Sequence, residues 1–160
     1  MRCVRQTVVI ACSAVWATAG GSSANNSLLG GADDDTLFGG AGRGLLIGGL
    51  GADILRAGGG DDILIGGTTV HDQNLAALAA LRAEWSRTDT NYQARIGHMT
   101  GSTSGGLNGA YLLNAITVLD DAAVDQLFGE SGADWFFYKP TGSQTDVLGD
   151  RKNNETATQI

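Results

Sequence analysis

The sequence predicts a mainly β fold: a short, flattened coil of parallel strands built from nine-residue repeats, with a helical hairpin inserted into it. Three observations predict this. Residues 30–67 read GGADDDTLF GGAGRGLLI GGLGADILR AGGGDDILI GG, with glycines opening each unit, an acidic position sixth and leucine eighth. Residues 72–86 set Leu75, Leu78, Leu81 and Trp85 at helical spacing among alanines. The nine-residue period then returns over residues 120–137 as DDAAVDQLF GESGADWFF.

Each repeat follows from its residue types. Three residues around each leucine suit a short strand, with the leucine inward and its neighbours outward. The glycines make the turn, because only glycine enters positive-φ conformations freely. A turn every nine residues gives two strands per circuit, so residues 18 apart stack. Leu37, Leu46, Leu55 and Leu64 form the inward columns, and residues 21–29 are a worn earlier copy with Asn26 and Leu28 in register. Asp35 then lies under Asp53 on one edge, and Gly44 under Asp62 on the other. Stacked carboxylates repel, and so many glycines cost ordering entropy. A hard cation that takes six to eight oxygen ligands, Ca²⁺, answers both problems.

This pattern resembles the repeats-in-toxin (RTX) family, whose haemolysin-type repeat reads G-G-x-G-x-D-x-U-x with U large and apolar. The resemblance implies a parallel β-roll (a β-solenoid of nonapeptide repeats) with Ca²⁺ held between successive turns by sixth-position aspartates and turn carbonyls. Carried onto this chain, the metal residues are Asp35, Asp53 and Asp62 with Gly31, Gly40, Gly49, Gly51, Gly58 and Gly60, and Asp125 and Asp134 in the returning repeats. The copy is imperfect: Asp33 stands at the fourth-position glycine, Gly44 at a sixth-position aspartate and Ala57 at a first-position glycine. Asp35–Asp53 is therefore the complete pair, and Gly44 leaves Asp62 with one carboxylate.

Composition narrows the function classes. The chain has 160 residues, 25 of them glycine and one proline, and a net charge of −7. Such acidity argues against nucleic acid, which wants a basic stripe, and suits divalent cations. Self-repulsion destabilises the metal-free state. Both cysteines, Cys3 and Cys12, lie in the first dozen residues and give the body of the chain no disulfide framework.

In order, residues 1–19 read as a signal peptide, from the basic start at Arg2 and Arg5, an apolar stretch and the Ala17-Thr18-Ala19 cleavage pattern. A lipobox at Val9–Cys12 and an internal start within a longer protein are the rival readings. Residues 20–67 form the roll. One outward face, Ser27, Leu29, Leu45, Ile47, Ile63 and Ile65, is nearly all apolar and requires a cover. Residues 68–106 supply it as a helical hairpin and loop: one helix capped by Asp72 and running to about Ser86, a second over residues 91–99 with Tyr92, Ile96 and Met99 on one side. Residues 107–150 hold short strands at 110–113 and 116–119 and the second, degenerate repeat pair. Asp125 and Asp134 lie nine apart, on opposite edges, and need other turns beside them. A slipped copy over 142–148 brings Asp146 near the Asp125 edge, and the aromatic run 135–138 seals the core. Residues 151–160 are a polar, frayed tail.

No H-E-x-x-H or G-x-S-x-G motif occurs, and His71 and His98 read as surface or helix-end residues. The expectation is a secreted, extracellular, non-catalytic calcium-binding β-roll module that folds with Ca²⁺. It has no nucleic-acid partner and no transmembrane segment in the mature chain; a surface or matrix partner is left open. The alternatives are a structural or adhesive surface module, or the C-terminal fragment of a larger secreted RTX hydrolase or toxin.

Overall fold

A computed structural model describes residues 23–160 throughout, together with the backbone of three strands before them, β1 (Cys3–Gln6), β2 (Val9–Cys12) and β3 (Thr18–Gly20). The strands that follow are β4 (Ser27–Gly31), β5 (Thr36–Phe38), β6 (Leu45–Gly49), β7 (Ile54–Arg56), β8 (Ile63–Ile65) and β9 (Thr68–Thr69). Two helices come next, α1 (Leu75–Trp85) and α2 (Tyr92–Thr100). The chain closes with β10 (Val118–Leu119), β11 (Gln126–Phe128), β12 (Trp135–Tyr138), β13 (Val147–Leu148) and β14 (Thr156–Gln159). Strands predominate.

Successive repeat strands alternate between two sheets. The first runs β1-β2-β4-β6-β8-β12-β14 and the second β13-β11-β7-β5-β3. Every pairing in them is parallel except β1 with β2. The register is the predicted 18: Leu28 pairs with Leu46 and Leu46 with Leu64, while Leu37 pairs with Leu55. Beyond the helices the same columns resume. Leu64 pairs with Phe136 and Leu55 with Leu127, each across the whole helical insert. The last circuit is slightly longer than the others, from Phe136 to Ala157 and from Leu127 to Leu148.

Two cores result. Between the sheets, Leu28, Leu37, Leu46, Leu55, Leu64, Leu127 and Phe136 are fully buried. On the other side of the first sheet, Leu29, Leu45, Ile47, Ile63 and Ile65 pack with Leu78, Leu81, Trp85, Met99, Trp135 and Phe137. The apolar face is thus covered by the hairpin, as expected: Ile47 is 1 % exposed and Ile65 0 %. At about 25 cal/mol per Å² of apolar surface, this burial is what holds two short helices that would be marginal alone.

Several expectations are corrected. Asn74, not Asp72, caps α1, its Oδ1 accepting from Ala77 N at 3.1 Å. Asp72 instead accepts from the Thr69 amide and hydroxyl, closing a tight turn before the helix. Leu75 is exposed because it precedes the stretch that meets the sheet. Residues 110–113 form no strand. Leu113 N is taken by the Met99 carbonyl at the end of α2, and the Asn108 side chain holds Tyr111 O. Val118 and Leu119 do form a strand, paired antiparallel with β9. The tail is not frayed: β14 adds an edge strand to β12, and Glu155 is buried. Of the leader proposed for residues 1–19, residues 1–2, 7–8 and 13–17 lie outside the described residues. The described backbone within it pairs at the same spacing, Val9 with Ser27 and Thr18 with Thr36.

Candidate metal-binding edges

Each sixth-position residue sits where the chain leaves a glycine turn and enters a strand. The side chains of Asp53, Asp62, Asp125, Asp134 and Asp146 turn inward and each accepts the amide of its counterpart one circuit earlier. On the first edge, Asp53 Oδ1 accepts from Asp35 N at 2.7 Å, Asp125 Oδ1 from Asp53 N at 2.8 Å and Asp146 Oδ1 from Asp125 N at 3.0 Å. On the second, Asp62 Oδ1 accepts from Gly44 N at 2.5 Å and Asp134 Oδ1 from Asp62 N at 2.8 Å. The result is two ladders of stacked carboxylates running along opposite edges of the paired sheets.

One oxygen of each rung is used and the other points elsewhere. The Oδ2 atoms of Asp53, Asp62 and Asp134 are buried and meet no hydrogen-bond donor in the protein. A buried acceptor without a donor is costly, which makes these oxygens candidate ligands for a cation. Their surroundings agree. A Cβ built on Gly48 would collide with both Asp53 Oδ2 and the Gly66 carbonyl oxygen, and one on Gly66 with Asp125 Oδ2. One on Gly30 would lie 2.6 Å from Asp35 Oδ2 and also strike Gly48 O. On the second edge, one on Gly129 would strike Asp134 Oδ2. The space left by each missing side chain is thus lined by carboxylate oxygens, joined on the first edge by carbonyl oxygens. This donor chemistry fits Ca²⁺, a hard cation that takes oxygen ligands at roughly 2.3–2.6 Å. Among the described residues no three carboxylate, imidazole or thiolate side chains converge on one point, so backbone oxygens would have to complete any such site.

The electrostatics match. Burial pushes the Asp53 carboxyl up to about 8, against the pull of the Asp35 amide and with added repulsion from Asp125 and Asp35. Burial likewise pushes Asp62 up to about 9 and Asp125 to about 7. Asp134 rises to about 8, again through burial first, with Glu155 beside it. A cation among these groups would supply the charge that burial denies them.

The predicted ligands therefore come together, with amendments. Asp35, Asp53 and Asp125 share the first edge, Asp62 and Asp134 the second. The second edge is fuller than the contiguous repeats indicate: Asp62 stacks on Asp134 rather than standing as one carboxylate beside Gly44. Gly31, Gly40, Gly49, Gly51, Gly58 and Gly60 all have positive φ, so they shape the turns. The carbonyls of Gly31 and Gly40 already accept from Leu50 and Gly59 one circuit on. The first-position glycines Gly30, Gly48 and Gly66 lie closest to the first-edge carboxylates. Their own stacking at intervals of 18 is the signal that points to them.

The repeat pattern misses Glu155 altogether. It takes the sixth-position place after Asp134, but as a glutamate, one lengthened circuit on, in a segment without the glycine pattern. Both ladders end at a lysine. Lys139 N donates to Asp146 Oδ2 at 2.8 Å and Lys152 N to Glu155 Oε2 at 2.5 Å. Lys139 Nζ pairs with Asp120, and Lys152 Nζ with Glu155.

His71 is not a surface group, whereas His98 is the helix-end residue expected. His71 is buried, its Nε2 lies 2.9 Å from Leu112 O, and its ring stands edge-on to Tyr111. His98, in the last turn of α2, pairs through Nδ1 with the buried Glu84 at 2.6 Å.

Stacked glycine turns with inward aspartates at a spacing of 18 define a nonapeptide-repeat architecture. Residues 21–46 and 43–68 match the RTX calcium-binding nonapeptide repeat (4 copies). This part of the chain is an RTX-type calcium-binding repeat, and repeats of this kind bind Ca²⁺. No curated protein and no solved structure matches the chain.

Proposed function

We propose that this chain is a secreted, non-catalytic calcium-binding β-roll module in which Ca²⁺ completes folding. The observation that carries this reading is the buried Oδ2 of Asp53, Asp62 and Asp134, each without a protein donor. Asp53 Oδ2 lies in a niche that only glycine leaves open, and Asp134 Oδ2 in another. The ligand residues are Asp35, Asp53 and Asp125 on the first edge and Asp62 and Asp134 on the second, with turn carbonyls between them.

The consequence for folding is direct. These oxygens line up along an edge only when the sheets are stacked, so binding free energy becomes folding free energy. Extracellular calcium modules bind near 10⁻⁴–10⁻³ M, a range that leaves such a module unfilled where calcium is scarce and filled outside the cell. Secretion agrees with that range, and among the described residues no helix is long and apolar enough to cross a membrane. The non-catalytic reading rests on the sequence, which holds neither an H-E-x-x-H nor a G-x-S-x-G motif.

Calorimetric titration of EDTA-stripped protein with CaCl₂ tests the proposal. Wild type should bind more than one ion, Asp53→Asn and Asp62→Asn should each lose part of the stoichiometry, and the double variant most of it. Heat and stoichiometry that are identical in all four proteins would refute the assignment.

A further inference from the structure

The two edges differ in what supports them. Along the second edge, three side chains of the helical hairpin bond beside the rungs, Trp85 and Tyr92 to backbone atoms and Arg95 to the Asp61 carboxylate. Trp85 Nε1 donates to Asp61 O at 2.7 Å. Arg95, 1 % exposed, pairs through Nη2 with Asp61 Oδ2 at 2.5 Å, and Asp61 Oδ1 accepts from Ala133 N at 3.1 Å. Asp61 and Ala133 immediately precede the rungs Asp62 and Asp134. Tyr92 bridges the next pair: its hydroxyl donates to Asp134 O at 2.7 Å and accepts from Thr156 N at 3.0 Å.

These three residues form one packed unit. The Arg95 guanidinium lies 4.9 Å from the Trp85 ring centroid, and Trp85 packs edge-on to Tyr92 at 5.7 Å and against Trp135 at 5.9 Å. Nothing comparable reaches the first edge. Among the described residues no hydrogen bond or ion pair joins either helix to residues 52–54 or 124–126.

We infer that Tyr92, Trp85 and Arg95 are positioning residues for the second calcium edge, Asp62–Asp134, and that the hairpin is energetically coupled to that edge alone. The inference rests on the calcium reading above. The whole helical insert separates Asp62 from Asp134 in the chain, as it does Asp53 from Asp125, but only beside Asp62 and Asp134 do hairpin side chains bond to the segments on both sides of that gap. The hairpin fixes the peptide planes on both sides of the gap, which sets the distance between the two carboxylates. Coupling of this kind is reciprocal: filling the second edge should tighten the hairpin, and filling the first should not.

Tyr92→Phe removes both bonds of the bridge and keeps the ring. Its CaCl₂ affinity is to be measured by calorimetry in two backgrounds, Asp53→Asn to isolate the second edge and Asp62→Asn to isolate the first. The expected result is a loss of about tenfold at the second edge, the scale of one or two hydrogen bonds, and a change under twofold at the first. Amide hydrogen exchange in α1 and α2 should slow when calcium fills the second edge and stay unchanged when it fills the first. Trp85→Phe, which drops the Asp61 bond but keeps an aromatic ring, serves should Tyr92→Phe not fold. Equal losses at both edges, or none at either, would overturn the inference. Wild type that binds no calcium would overturn the calcium reading itself and this inference with it.

Discussion

Asp53 is pulled in opposite directions by folding and by binding. Its carboxyl is buried and pushed up to about 8, so in the metal-free chain it opposes stacking whenever it ionises. Asp53→Asn keeps the Oδ1 acceptor for Asp35 N and removes the charge. We expect the variant to melt higher than wild type in EDTA at pH 8 and lower than wild type in excess CaCl₂. A melting temperature equal to or above that of wild type in excess CaCl₂ would show that the charge serves no metal.

The same logic sets the pH dependence. The folded values of Asp53, Asp62, Asp125 and Asp134, about 7 to 9, lie above the ordinary 3.8. A raised folded value adds stability that is whole below pH 3.8 and is lost as pH climbs through the folded values. Metal-free protein should therefore be less stable at pH 8 than at pH 5. Calcium affinity should rise over the same interval, because ligation needs the carboxylate. Thermal melts at the two pH values, with EDTA and with CaCl₂, check both signs. At Gly48 the effect is steric: Gly48→Ala puts a methyl against Asp53 Oδ2 and Gly66 O. It should cost about 1–3 kcal/mol in urea titrations and weaken the first edge selectively.

At the scale of elements, the helical hairpin is the lid of the second core. Trp85 is 1 % exposed, sits among Ile63, Ile65, Trp135 and Phe137, and anchors α1 through Asp61 O. Trp85→Ala should cost about 3–5 kcal/mol, read as a fall in the urea midpoint, whereas Leu75→Ala on the exposed side should change it little. The hairpin itself is legible in the sequence, since Leu78, Leu81 and Trp85 keep helical spacing and the Leu29–Ile65 face demands a cover. The cap is harder to read. Asp72 and Asn74 are both good capping residues, and only the turn closed by Thr69 decides between them. A strand at 110–113 is expected from apolar character alone. Leu113 is buried there without a sheet partner, which sequence pattern cannot distinguish from a strand.

For the whole molecule, the repeat gives away the period, the inward leucine columns and the first edge, because contiguous units at nine residues admit one stacking. It says less about the second edge. Which earlier turn Asp125 and Asp134 meet depends on where the hairpin returns the chain, and a step across the whole insert leaves no local trace. The lengthened closing circuit is equally hidden: Glu155 and β14 lie in a polar stretch that reads as a frayed end. The chain's net charge of −7 is gathered in part into two buried ladders, and the central claim is that a cation is needed to close them. The most direct measurement is far-UV circular dichroism of EDTA-stripped protein at pH 7.5 during addition of CaCl₂. The expected result is a cooperative gain of strand signal with a midpoint near 10⁻⁴–10⁻³ M, absent with MgCl₂ at the same concentrations. A full strand spectrum in EDTA that calcium leaves unchanged would contradict it.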